Sequence, residues 1–102
     1  MIHVIATVEL AEGEREAFLA EFRQIVPLVR AEAGCLEYGA AIDLATGIPV
    51  QGPPRDNVVT IVEKWESVEA LQAHLQAPHM LAYRPKVKEF VRSVKLQVLQ
   101  PA

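Results

Sequence analysis

From Ile2 to Leu10 the chain alternates with a strict two-residue period. Ile2, Val4, Ala6, Val8 and Leu10 fall on one side, and His3, Ile5, Thr7 and Glu9 on the other. Only an extended strand places every second side chain on a common face. After Gly13 the period changes. Phe18, Phe22, Ile25 and Val29 recur three or four apart, with Glu14, Glu16, Glu21 and Arg23 between them, which predicts an amphipathic helix over residues 14–33. The acids of its first turn suit the helix dipole, Pro27 should kink or break it near Val26, and Gly34 is its natural terminator. The two periods then alternate again along the chain. A second strand is predicted over residues 36–44, with Leu36, Tyr38, Ala40 and Ile42 on one face. A third covers residues 58–66, and a fourth covers residues 94–99.

Between the second and third strands, residues 45–56 hold Gly47, Pro49, Gly52, Pro53 and Pro54 and read as a loop, long for a connector in so small a domain. Ser67 is placed to N-cap a helix running to Ala77, with Ala70 rather than Glu at the capping-box position. Pro78 is well placed to open a further helix, continuing through Tyr83, Val87, Phe90 and Val91, which Pro85 either breaks or restarts. The order β-α-β-β-α-β is the ferredoxin-like split βαβ, an α+β fold in which helices cover one face of a four-stranded antiparallel sheet.

The 102 residues make one domain, residues 1–102. With 51% hydrophobic residues and a mean hydropathy of +0.17, the chain is apolar for an interior of that size. The third strand is apolar on both sides: Val58, Thr60 and Val62 alternate with Val59, Ile61 and Trp65. Two sheets packed face to face across a two-fold axis would bury the second side, so the pattern predicts a homodimer, with the loop over residues 45–56 as an arm reaching the partner. A net charge of −3 offers no basic stripe for phosphates and argues against nucleic acid. No apolar run approaches the ~20 residues that cross a bilayer, and Glu9, Glu12 and Glu14 come too early for a signal peptide. The lone cysteine, Cys35, permits no internal disulfide and fits a reducing cytoplasm; it is expected to be buried and inert.

Candidate chemistry concentrates between residues 65 and 83. Trp65 ends a strand, either as a core aromatic or as a flat wall for an aromatic ligand. His74 borders the apolar stripe of the following helix, where a structural role competes with a functional one. His79 falls in the first turn after Pro78, where unpaired N–H groups disfavour an imidazolium and suit the ring to accept a proton. Tyr83 lies four residues beyond His79 on the same helix face. Tyr38 shares an inward strand face, and Gly39, Ala40 and Ala41 leave room above its strand. His3 is an outside candidate. His74 and His79 stand five apart with a proline between, and no acid or cysteine stands at matching spacing, so local spacing argues against a metal. No dinucleotide, Walker or serine-elbow motif is present.

The turn Ala33-Gly34-Cys35, the run Lys64-Trp65-Glu66-Ser67 and the run from Ala73 to Met80 resemble the antibiotic biosynthesis monooxygenase family, particularly its bacterial quinol monooxygenase branch. The resemblance runs through nearly the whole chain, departing in the Pro- and Gly-rich insert. It implies a dimeric α+β barrel and oxidation of a quinol or polyphenol by dioxygen with no metal or flavin cofactor. His79 would be the base, with His74 assisting, while Trp65, Tyr38 and Tyr83 bind the small aromatic substrate. The haem-degrading branch of the family carries Asn, Trp and His at positions occupied here by Ala6, His74 and Arg84, which sets that activity aside. Isomerisation of a small hydroxy-ketone by the two histidines, or non-catalytic binding of a quinone-like molecule, are the alternatives.

Overall fold

A computed structural model describes residues 1–102. The elements follow the order β1 (Ile2–Leu10), α1 (Arg15–Arg30), β2 (Cys35–Ala41), β3 (Val58–Trp65), α2 (Val68–Leu75), α3 (Pro78–Val87) and β4 (Val91–Leu99). The four strands form one antiparallel sheet in the order β2-β3-β1-β4, the ferredoxin-like arrangement that the alternation predicts. No helix is long and apolar enough to cross a membrane.

The alternation of β1 resolves directly into two environments. Val4, Ala6, Val8 and Leu10 are buried beneath the helices, and Phe18, Phe22, Ile25 and Val29 of α1 close over them. Each of these side chains larger than Ala6 contributes roughly 1.5–3 kcal/mol by leaving water. His3, Ile5, Thr7 and Glu9 lie on the helix-free face, opposite Lys64, Val62, Thr60 and Val58 of β3. That face is a mixture of apolar, hydroxyl and charged groups, more polar than β3 alone implies. The apolar surplus lies elsewhere. Val94, Leu96 and Val98 of edge strand β4 pair with Val8, Ala6 and Val4, so they face the helix side, yet they stay 40–56% exposed.

Several boundaries differ from the sequence-based expectation. Pro27 does not end α1, because it sits on the exposed side, where water can take the carbonyl left without a partner. A register shift between Cys35 and Glu37 turns Leu36 outward, and β2 ends at Ala41, so Leu36 and Ile42 leave the inward set while Tyr38 remains buried. Pro85 stays inside α3. The fourth strand starts at Val91, three residues earlier than expected, paired through Leu10. Ser67 caps α2, its Oγ accepting from the Ala70 backbone N–H at 3.1 Å.

The loop between β2 and β3 is tied to itself. Asp43 accepts from the Arg55 guanidinium at 2.8 and 3.0 Å and from its backbone N–H at 2.9 Å, closing the loop at its base. Thr46 bonds Gln51. Leu44, Ile48 and Val50 consequently point outward, Val50 at 94% exposure.

Candidate active site

Gly34 sets the site. It ends the turn after α1 with φ +82°, a conformation that glycine adopts without penalty. Its backbone accepts from the Glu66 N–H at 2.8 Å, and a β-carbon there would meet the Ala70 side chain at 2.6 Å. The absence of that carbon lets the turn lie flat on the start of α2. Glu32, two residues earlier, is thereby carried to the far end of α2 and the start of α3.

There the two helix-borne histidines converge on it. Nδ1 of His74 and Nε2 of His79 each lie 2.8 Å from the same oxygen, Oε2 of Glu32. A carboxylate only accepts, so each ring donates its N–H to Glu32. The tautomer of His74 follows: its proton is on Nδ1, and Nε2 is left as an acceptor. The ring is held by aromatic neighbours, Trp65 at 4.7 Å and Tyr38 at 5.4 Å between centroids.

A second carboxylate lies on the strand beside this group. Glu63 points inward from β3 and is 4% exposed, and its Oε1 accepts from the Trp65 indole at 2.8 Å. Burial pushes its pKa above the usual carboxylate range, against the opposing pull of the indole hydrogen bond and of His74. Burial likewise pushes the phenols of Tyr38 and Tyr83 upward, keeping them protonated donors.

His74, Glu63, Tyr38 and Tyr83 line a cavity of about 740 Å³ between the sheet and α3. The rest of the lining is mainly apolar, from Phe18, Ile61, Met80 and Val87 to Val94 and Leu96 of β4, with Arg84 and Lys88 as its basic members. Every buried side-chain nitrogen and oxygen has a partner. The Tyr38 and Tyr83 hydroxyls and Nε2 of His74 make no hydrogen bond within the chain, so they reach accessible space; all three residues line this cavity, and Tyr83 also borders a smaller one beside Glu21. An apolar cavity with a few convergent polar groups is the usual form of a small-molecule site.

The expected residues are thus redistributed. Tyr38, His74 and Tyr83 are on the cavity. His79 lines a separate cavity of about 190 Å³ with Tyr83 and Lys86, its ring bonded to Glu32 in the turn after α1. Trp65 is fully buried beside His74 and lines neither of these two cavities, so the stacking wall expected of it is covered. Gly39, Ala40 and Ala41 border depressions on the outer edge of the sheet, away from this cavity. His3 is on the helix-free face. Cys35 is half-buried, and burial together with the nearby Glu32 and Glu63 carboxylates holds it as a thiol.

Glu32 and Glu63 escaped the sequence reading. Glu63 left a signal, a lone acid among Val59, Ile61 and Trp65 on the inward face of its strand. Glu32 left none, since its partners are 42 and 47 residues away.

Residues 1–86 match the family model described as antibiotic biosynthesis monooxygenase. The chain is 42% identical over 103 residues to the probable quinol monooxygenase YgiN of Escherichia coli K12, covering 99% of this chain and 98% of that one. Among solved structures, it superposes on PA3566 from Pseudomonas aeruginosa with a TM-score of 0.81 at 29% identity, covering 99% of this chain and 93% of that one. Rv0793 from Mycobacterium tuberculosis superposes with a TM-score of 0.79 at 30% identity, covering 99% and 94%.

Proposed function

The chain belongs to the antibiotic biosynthesis monooxygenase family, and on that premise we propose that it oxidises a quinol or related dihydroxyaromatic with dioxygen and without a cofactor. The observation that carries this reading is that His74, Glu63, Tyr38 and Tyr83 line one cavity whose remaining lining is mainly apolar. The name of the Escherichia coli relative supports the substrate class.

A dihydroxyaromatic becomes strongly reducing once a phenolic proton is removed. In this reading Nε2 of His74 is the base, and Glu32 holds the tautomer that keeps it an acceptor. The protonated phenols of Tyr38 and Tyr83 donate to the developing oxyanion. The quinolate passes one electron to dioxygen, and the resulting radical pair combines at a ring carbon. Loss of water from that peroxide leaves a hydroxyquinone, so one oxygen atom stays on the ring and the other departs as water. His79 acts through Glu32 as a positioning residue, and Trp65 backs the His74 ring.

The same reading includes a homodimer in a reducing cytoplasm. The exposed Val94, Leu96 and Val98 beside the cavity and the outward Leu44, Ile48 and Val50 of the loop support the pairing. Anaerobic mixing with a naphthoquinol, followed by air carrying labelled dioxygen, tests the function. A product bearing one labelled atom, formed faster than in buffer, is expected. Rates equal to buffer across a panel of quinols and phenols would defeat the reading.

A further inference from the structure

We propose that Glu32, His74 and His79 form a binding site for one divalent transition-metal ion of the zinc, cobalt or nickel kind. The three side chains present one carboxylate oxygen and two imidazole nitrogens within 4.8 Å of one another. The objection from sequence spacing falls away, because the missing third ligand arrives from the turn after α1 rather than from the neighbourhood of the histidines. Two histidines with one glutamate are the ligand set of open zinc sites, and imidazole with carboxylate favours first-row transition ions over calcium or magnesium.

The geometry requires only side-chain adjustment. Metal–ligand bonds of about 2.0–2.2 Å set donors roughly 3.3 Å apart in a tetrahedral site. The two nitrogen–oxygen contacts now stand at 2.8 Å and must lengthen slightly, while the two imidazoles close on each other. Each neutral ring becomes a ligand by moving its proton to its far nitrogen, so no net proton need be lost. The backbone under the ligands is already fixed. Gly34 docks the turn that bears Glu32, and Pro78 opens the helix that bears His79. The His74 ring is clamped by Trp65 and Tyr38, an outer support of the sort that orients metal-bound imidazoles. Access comes from the His79 side. The side chain of His74 is 2% exposed, whereas those of Glu32 and His79 are 14% and 21% exposed, which leaves the fourth position for water on the outer side.

This ion would take Nδ1 of His74 and leave the ring's proton on Nε2, so the proposed base nitrogen accepts only in the metal-free chain, and binding is measured on its own, without turnover. The test is calorimetric titration of the chelator-treated full chain with Zn²⁺, together with visible absorption on adding Co²⁺. Expected are one ion per chain at micromolar affinity or tighter, and cobalt d–d bands of a low-symmetry nitrogen–oxygen site. Glu32→Gln and His79→Ala should each weaken binding by roughly 100-fold or more, at least the loss that follows removal of an outer partner. His3→Ala, which removes the one histidine outside the cluster, should change nothing. Circular dichroism confirms that each variant is folded. Should His74→Ala unfold the chain, the two partly exposed ligands still decide the matter. Absence of saturable binding, binding unchanged in Glu32→Gln and His79→Ala, or binding lost in His3→Ala would each overturn the proposal. Failure of metal binding leaves the proposed oxidation standing, since that chemistry uses the metal-free ring.

Discussion

The indole of Trp65 donates to Glu63 two residues before it, so the only tryptophan of the chain and a buried carboxylate share one inward strand face. Burial raises the Glu63 pKa, so the folded chain binds that proton more readily than the unfolded one. By linkage, stability falls as pH rises through the interval from the ordinary value of 4.5 to the raised one, and the cost persists above it. Glu63→Gln keeps an oxygen for the indole and removes the charge. We expect it to stabilise the fold near neutral pH on the order of 1 kcal/mol, with the gain vanishing at acid pH. Urea unfolding across pH checks the sign. If Glu63 also shapes the oxidation site, the same variant turns over more slowly, opposing stability to activity.

Exchange of the two histidines separates base from support. His74→Gln should lower quinol oxidation about 100-fold or more, the usual loss of a positioned base. His79→Ala should lower it less, and mainly by shifting the pH profile, since its ring reaches Glu32 and not the cavity. Stopped-flow rates measured across pH give the comparison. The reverse ranking would make His79 the base.

Two glycines with nearly equal φ differ in surroundings. Gly13 has φ +78° and open space, whereas Gly34 has φ +82° and the Ala70 side chain where its β-carbon would be. Gly13→Ala should cost about 1–2 kcal/mol from backbone strain alone. Gly34→Ala should cost more than 2 kcal/mol, because the clash adds to the strain. It should also displace Glu32, seen as altered imidazole signals of His74 and His79 in NMR spectra.

The loop clamp is a local device. Arg55 hydrogen bonds hold the Asp43 carboxyl down at about 2. A depressed carboxylate contributes above its unfolded pKa and is lost only as pH falls through about 2, so the clamp should hold across the whole physiological range. Asp43→Asn should leave the melting temperature nearly unchanged while speeding proteolysis between Leu44 and Pro54. Limited digestion followed by mass spectrometry reads the cut sites.

Assembly is tested by charge. Leu96→Glu places a carboxylate among Val94 and Val98 on the exposed helix side of β4. If that strip is covered by a second copy, sedimentation at micromolar concentration should move from twice 11.3 kDa to a single 11.3 kDa chain. A native chain that already sediments as a monomer would remove the dimer.

Most of the fold was legible because strand and helix periods act locally. β1, the inward stripe of α1, and the caps at Ser67 and Pro78 each follow from residues within a few positions of one another. What stayed hidden depends on contact at a distance. The bulge after Cys35 arises from pairing with β3, and it turned Leu36 outward against simple alternation. Trp65, His74, His79 and both tyrosines were visible as chemically rich residues. What local spacing could not show is that His74 and His79 meet on Glu32, whose turn is docked on α2 at the Gly34–Ala70 contact.

β1 has a consequence for the order in which the molecule can be made. The first strand of the chain is central in the sheet, with partners at Val58–Trp65 and Val91–Leu99. During synthesis it must therefore wait, both edges unpaired, until more than half of the chain has followed it, and its second edge stays open until the last strand arrives. Contacts of such wide sequence separation slow folding and leave apolar strands exposed meanwhile. The alternation that makes β1 easy to read also makes Ile2–Leu10 the segment that a nascent chain most needs to keep from other nascent chains.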